Sequence, residues 1–453
     1  MKYALTASAH AAHAPRGPRL LPGPEPSRIP RLWPTGVVDP SANGSHPASG
    51  GYVECLGGPA LCRDDHGAET DQGEADHMPV PLDEYPVHQV PLSMRHMATS
   101  DRNAYDRCYF NAHDRTGEVF LVTGMGVYPN LGVVDAYATV RRGDEQYTVR
   151  TSDALGDDRM DQRVGPYRIE VLEPLERVRV VCDGADHGVG FDLTWTGSFP
   201  IVEEPAHVMR QGGRVILDAC RFAQVGTWSG TLEVGGEELS VGDDQWVGTR
   251  DRSWGIRPVG EPEPPGRAAS EPDEGFGFWW TYVPLRFDDF AVVVIAQEDG
   301  DGNRLLNEAV RVFPAASGRP AEQLGWPEVE VRYRPGTRHP ESAVLHMRTR
   351  RGVALTLEIE TLGFVGLNCG PGYGGDPDWS HGQWRGRAWT EGVVVDMRDP
   401  AITGRIPFGV VDHVARARCD GSEGWGMFEH GTFGRHEPSG FTGWESVAPA
   451  ATP

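Results

Sequence analysis

The sequence predicts an all-β protein built from antiparallel sheets, and three observations predict it. Short runs rich in β-branched and aromatic residues recur every ~8–12 residues from Tyr109 onward, with Gly, Asp and Asn turns between them. That spacing belongs to an antiparallel sandwich or barrel. The 58 glycines and 13 tryptophans suit turns and aromatic packing rather than helical bundles. Two stretches of this same texture flank a Pro/Glu-rich segment, "VGEPEPPGRAASEPDEG", which reads as a linker or a long surface loop.

Residues 1–85 stand apart. "APRGPRLLPGPEPSRIPRLWPTG" and "DDHGAETDQGEADHMP" are rich in Pro, Gly and charge and have no sustained period. Such a segment cannot bury enough apolar surface to offset its ordering entropy, so it is expected to be disordered, with Met78 as an alternative start. "YFNAHDRTGEVFLVTGMGVY" then reads strand, Asp-Arg-Thr-Gly turn, strand. "VVDAYATVRRGDEQYTVRTS" repeats the pattern with a hairpin at Arg142-Gly143-Asp144. A helix or an irregular crossing is expected at Pro205–Gln211. These readings set boundaries of 86–258 for a first domain, 259–274 for the linker and 275–447 for a second domain.

Composition excludes several functions. The formal charge of −23 repels phosphate backbones, so nucleic acid is not an expected partner. No apolar run approaches the ~18 residues a transmembrane helix needs. Lys2 is the only lysine, which excludes a Walker A lysine, a pyridoxal Schiff base and a lysine nucleophile from the folded body. The seven cysteines are scattered, odd in number and lack a CxxC pair. Reduced thiols in the cytoplasm are therefore expected, rather than a disulfide framework or a zinc ribbon. Thr, Ser and His interrupt the start of the chain, so Ala12-His13-Ala14 is not read as a cleavage site.

Several motifs dissolve on inspection. "GPGYGG" at Gly370–Gly375 satisfies G-x-G-x-x-G, but Pro377 follows where a dinucleotide site needs a helix. "DGDGN" at Asp299–Asn303 lacks the Gly and Glu of a calcium loop and reads as a hairpin turn.

The strongest local signal is "GTRDRSWG". In an extended chain Arg250, Arg252 and Trp254 share one face, and Asp251 and Ser253 share the other. If Asp251 points inward it is a candidate acid whose pKa burial raises. If the Trp face points inward, the arginines need buried partners. The alternative is an Arg–Asp–Trp clasp at a strand end. In "FWWTYVPLRF", Phe278, Trp280 and Tyr282 alternate with Trp279, Thr281 and Val283, so one face fills the core while the other lines a cavity or an interface. "GGDPDWSHGQWRGR" places Asp376, Asp378 and His381 beside Trp379 in a turn-rich segment. Asp376 and His381 are candidate proton donors, Trp379 is a candidate ligand contact, and no metal is expected because the spacing matches no fixed motif. In "EGWGMFEHGTFGRHE", Trp425, Met427 and Glu429 share one face and Phe428 and His430 the other, so Glu429 or His430 is expected to meet a ligand.

"CYFNAHDRTGEVFLVTGMGVY", "GTWSGTLEVGGEELSV" and "GTRDRSWGIRP", in this order, resemble the carotenoid 1,2-hydratase (hydroxyneurosporene synthase)/AttH-like group, and most closely its bacterial members without assigned chemistry. The resemblance spans roughly residues 100 to 445. It implies two lipocalin-like antiparallel β-barrel domains packed together. The group's pattern at this point is usually Asp-His-x-Trp or Asp-Arg-x-Trp, which Asp251 and Trp254 match as motif positions only, with Arg252 at the variable position. Its hydratases protonate an isolated double bond and add water, and other members cyclise.

The expectation is therefore a cavity for a hydrophobic small molecule of isoprenoid, steroid or polyketide type, in a hydratase or cyclase that needs no cofactor. Asp251, Asp376 and His381 are the catalytic candidates. Arg250, Trp254, Trp280, Tyr282, Trp379, Glu429 and His430 are the ligand-binding candidates. A non-catalytic lipophilic carrier and a carbohydrate-binding β-sandwich are the alternatives. Oligomeric state is left open.

Overall fold

The structure, a computed structural model, describes residues 79–450 apart from 212, 264–275, 375 and 377. Most of the extension expected to be disordered, residues 1–78, lies outside the described residues, as does the middle of the expected linker. The described chain begins with a 3₁₀ turn, Pro81–Glu84. Asp83 fixes that turn by accepting hydrogen bonds from the Val80 and Met94 amides at 2.7 and 2.6 Å.

From Ala104 onward strands dominate. The first stretch supplies β1 (Ala104–His113), β2 (Val119–Tyr128), β3 (Val133–Arg142), β4 (Glu145–Ala154), β5 (Arg163–Val164), β6 (Tyr167–Glu173), β7 (Arg177–Cys182), β8 (Val189–Gly197), β9 (Val202–Glu203), β10 (His207–Gln211), β11 (Arg214–Val234), β12 (Glu237–Val241) and β13 (Val247–Ile256). The second supplies β14 (Gly277–Arg286), β15 (Ala291–Asp299), β16 (Arg304–Val312), β17 (Glu322–Gln323), β18 (Glu328–Tyr333), β19 (Pro340–Arg348), β20 (Ala354–Gly366), β21 (Trp389–Asp396), β22 (Val411–Cys419), β23 (Ser422–His436) and β24 (Phe441–Thr442).

They form two curled antiparallel sheets. The first runs β21-β4-β3-β2-β1-β13-β11-β8-β7-β6-β5, with β9, β10 and β12 also on β11. The second runs β17-β16-β15-β14-β23-β22-β20-β19-β18, with β24 on β23. β21 comes from the second stretch yet pairs with β4, placing Trp389 opposite Ser152 on the edge of the first sheet.

Local chemistry sets the hairpins. Asp114 Oδ1 accepts from the Thr116 amide at 3.0 Å and folds the turn between β1 and β2. Arg142 pairs with Glu145, so Gly143 and Asp144 make a two-residue loop, and Gly143 sits at φ +56°, where a side chain would be strained. Asp299 Oδ1 accepts from the Asp301 and Asn303 amides, each at 2.9 Å, so the calcium-like run is a hairpin turn. The expected helix at 205–211 is absent: His207–Gln211 is β10, which follows β11 antiparallel from His207 opposite Ala219 to Gln211 opposite Arg214. Long-range pairing overrides weak local preference there.

The three largest of five apolar clusters among the described residues hold the sheets. One lies wholly on the first sheet, around Leu193, Trp195 and Trp228. Another lies wholly on the second, around Leu285, Leu345 and Phe428. The third draws Phe120, Val122 and Tyr137 from the first sheet against Phe278, Ile295 and Phe433 from the second. This third cluster is the seam between the sheets.

Candidate active site

A cavity opens in the seam, not inside either sheet's own curl. Its accessible space is about 70 Å³, and it is partly open to solvent. The first sheet contributes one wall. Arg107 on β1, Ser253 on β13 and Arg221 on β11 lie in one cross-strand row, and Tyr109, Asp251 and Ala223 form the next. Alternation brings the members of each row to the same side. From the second sheet come Phe278, Trp280 and Tyr282 on β14 and Glu429 on β23, with Glu429 directly opposite Tyr282. Glu204 and Arg257 complete the charged lining, and Tyr373 and Val410 close it.

The lining is thus polar and charged where the sequence suggested an oily hollow. Arg107, Arg221 and Arg257 meet Glu204, Asp251 and Glu429 in one space. Arg221 Nε lies 2.8 Å from Glu204 Oε2. Burial nonetheless pushes the Glu204 carboxyl up; Arg221 opposes that shift and the nearby Glu429 charge adds to it. Glu429 Oε1 accepts from the Trp280 indole N–H at 2.6 Å. His207 stacks on the other side of Trp280 with ring centroids 6.2 Å apart, and burial, then Arg221, pushes it down to about 3, so it stays neutral at physiological pH. At the inner end Tyr109 Oη donates to the buried carboxylate of Asp412 at 2.7 Å.

The sequence candidates divide cleanly. Asp251, Trp280, Tyr282 and Glu429 all line the cavity. The other face of β13 does not. Arg250 is turned away from the seam, donates from Nε to Gln224 Oε1 at 2.8 Å, and packs over the Phe222 ring. Trp254 is 42% exposed on that same outer face, so it is not a cavity wall.

Asp376 also lies elsewhere. Its carboxylate accepts from the Gly370 and Gly372 amides at 2.9 and 3.0 Å and pairs with Arg405 at 2.9 Å. The glycine run that mimics a dinucleotide loop therefore wraps its own aspartate. His381 is fully buried behind the cavity in a box of Tyr137, Tyr373 and Trp379, with ring centroids 4.6–5.1 Å away. Its Nδ1 lies 3.6 Å from Asp135. Trp379 packs in that box and against Trp389, not on the cavity. His430 faces the second sheet's interior, where its Nε2 lies 3.0 Å from Tyr333 Oη; burial pushes it down to about 3. Among the described residues, no three His, Cys, Asp or Glu side chains converge as a metal site would require, and no helix is long and apolar enough to cross a membrane.

Sequence reasoning missed Arg107, Tyr109, Glu204, Arg221 and Arg257. Each sits in a plain strand or connection, and only pairing between distant segments, such as β1 with β13, gathers them. The single local hint was the odd-numbered periodicity Arg107, Tyr109, Asn111 along β1.

Fold and site together define a class: an all-β protein of two curled antiparallel sheets with a charged cavity at their seam. Residues 80–442 match the model of a family described as a family of unknown function (DUF8625), and the chain belongs to that family. A search of curated proteins found no match. Among solved structures the chain is similar to an AttH-type protein from Nitrosomonas europaea, with 14% identity and a TM-score of 0.45 over 78% of this chain and 98% of that one. It is also similar to kievitone hydratase from Nectria haematococca, with 13% identity and a TM-score of 0.42 over 72% and 88%. A third similar structure is CghA, with 12% identity and a TM-score of 0.40 over 73% and 88%. Likenesses this distant bear on neither substrate nor mechanism.

Proposed function

We propose that the seam cavity binds a small unsaturated organic molecule and adds water to it or cyclises it by proton transfer, with Asp251 as the acid. One observation carries this reading: Asp251 from the first sheet and Glu429 from the second line a single confined cavity beside the aromatic wall of Phe278, Trp280 and Tyr282. Carboxyl groups crowded into one low-dielectric space resist ionising together, which favours a protonated acid there. The Glu204 carboxyl beside them is pushed up, first by burial and also by the Glu429 charge, which supports this reading.

In the hydration, the Asp251 carboxyl gives its proton to one alkene carbon. The ring faces of Trp280 and Tyr282 stabilise the positive charge on the other by ~0.5–2 kcal/mol per contact. Water attacks that carbon as Glu429 accepts the proton it loses, and solvent returns the proton to Asp251. In a cyclisation an internal double bond attacks that carbon instead of water, and Glu429 takes a proton from the carbon next to the new cationic centre, leaving a neutral ring product.

The test works without an identified substrate. The purified protein is incubated in D₂O with a small-molecule extract of the cells that make it, and mass spectrometry seeks species that gain carbon-bound deuterium. Wild type is expected to produce such a species, and Asp251→Asn to lower its rate of formation by ~10²-fold or more. A wild-type protein that retains a compound from the extract yet labels nothing is a carrier, and the catalytic reading fails.

A further inference from the structure

We infer that the molecule taken by this cavity carries a carboxylate or a comparably acidic oxygen, anchored by Arg107 and Arg257. The inference rests on the seam cavity being the ligand site, and it names the chemical class of that ligand. Both arginines line the cavity and both are at least nine-tenths buried, at 4% and 9% exposure. Among the described residues, Arg107 Nη1, Arg257 Nε and Tyr282 Oη have no hydrogen-bond partner. Three donors of one cavity, from both sheets, thus have no hydrogen-bond acceptor among the described residues.

Two of the cavity's own carboxylates are engaged with other groups. Glu204 is committed to Arg221, and Glu429 accepts the Trp280 indole proton. A guanidinium cannot discard its proton to escape this situation, and its planar fork matches a carboxylate. Behind Arg107 stands one buried counter-charge, Asp135. Its carboxylate already accepts from the Tyr128 hydroxyl at 3.1 Å and the Gly382 amide at 2.6 Å. Burial holds Asp135 up at about 7, so near neutral pH it cancels only part of the arginine's charge. Arg107 also lies 5.0 Å from the centre of the Tyr373 ring, and Arg257 5.4 Å from that of Tyr105, contacts that position each guanidinium without occupying its N–H groups.

A neutral hydrophobic molecule of isoprenoid type, the ligand expected from the sequence, leaves the three donors unmatched. An unsaturated acid satisfies them with its head while its body packs on Phe278 and Trp280. Desolvated charge-assisted hydrogen bonds of this kind discriminate strongly against a neutral isostere.

The experiment is titration calorimetry with matched probes: sorbate and trans-cinnamate against sorbamide and cinnamamide. Wild type is expected to bind the acids ~10-fold or more tightly than the amides. Arg107→Gln and Arg257→Gln, each checked for an unchanged circular dichroism spectrum, are expected to bring that ratio towards one. Equal affinity for acid and amide in wild type, or no binding of either acid, overturns the inference, and neither result depends on a variant that folds. The outcome separates from that of the deuterium experiment. Asp251-dependent labelling of a neutral compound overturns the acidic head alone, whereas arginine-dependent acid binding without any labelling overturns catalysis alone.

Discussion

Each sheet's own interior and the seam between the sheets solve the same packing problem in opposite ways. Inside the first sheet, Trp195 and Trp228 are fully buried and meet edge to face with ring centroids 5.2 Å apart. Bulky apolar side chains fill that curl, as Val283, Leu285 and Leu357 do in the second. The seam instead gathers charge: Arg107 and Glu204 are buried and Arg221 is partly so, each turned inward beside aromatic rings. Burying ions costs stability unless each is paired, so a chain assembled only for stability would have filled the seam as it filled the curls. The difference teaches where to look: the hollow with chemistry lies at the junction, and neither sheet alone contains it.

The largest expected effect tests the filled side of this contrast. Trp195→Ala removes a fully buried indole from a close-packed interior and should lower the unfolding free energy by ~3–5 kcal/mol, read from denaturant midpoints at constant slope. Asp251→Asn, which keeps shape at the edge of an existing cavity, should change it by less than ~1 kcal/mol. Comparable losses from the two substitutions would show that the seam is packed for stability like the interiors, and would break the contrast.

A smaller effect follows from the charge stored behind the seam. Burial raises the Asp135 carboxyl from its ordinary 3.8 to about 7, against the pull of Arg107, the Gly382 amide and the Tyr128 hydroxyl. Below pH 3.8 the native and unfolded chains both hold this proton. Between there and about 7 the native state keeps it while the unfolded state releases it. Stability from this group is therefore fully present at the acidic end and is lost as pH rises through the native pKa. Asp135→Asn should flatten that slope between about pH 4 and 7, measured by denaturant unfolding at a series of pH values. An unchanged slope would mean that Asp135 is already ionised in the folded protein at the acidic end of that range.

How much of this was legible in the sequence depends on the distance over which each feature is decided. Alternation along "GTRDRSWG" and "FWWTYVPLRF" sorted side chains into faces, because a strand's period of two is a property of its own backbone. It could not say which face meets the seam, since that depends on the direction in which each sheet curls. Hairpins at Asp114–Gly117 and Gly143–Asp144 were legible because turn chemistry is local. Asp376 and His381 looked catalytic because polar residues in glycine-rich loops often are. The structure commits the first to the amides of Gly370 and Gly372 and buries the second in aromatic rings. Arg107, Arg221 and Glu204 carried no motif, and their convergence is a product of strand pairing across more than a hundred residues.

The smallest expected effect gives the sharpest test, because it compares neighbours three residues apart on one strand. Trp254 and Asp251 both match the sequence motif, yet they project to opposite sides of β13. Asp251 looks into the cavity from opposite Tyr109, and Trp254, opposite Asp106 and Cys220, stands in solvent. An exposed indole that touches no ligand contributes neither affinity nor rate, whatever its motif suggests. Trp254→Ala should therefore leave the acid-over-amide binding ratio and the deuterium incorporation within about twofold of wild type, while Asp251→Asn slows the incorporation by ~10²-fold or more. A Trp254→Ala protein that folds normally but loses either activity would place the working face of β13 on the outside, and would move the site away from the seam altogether.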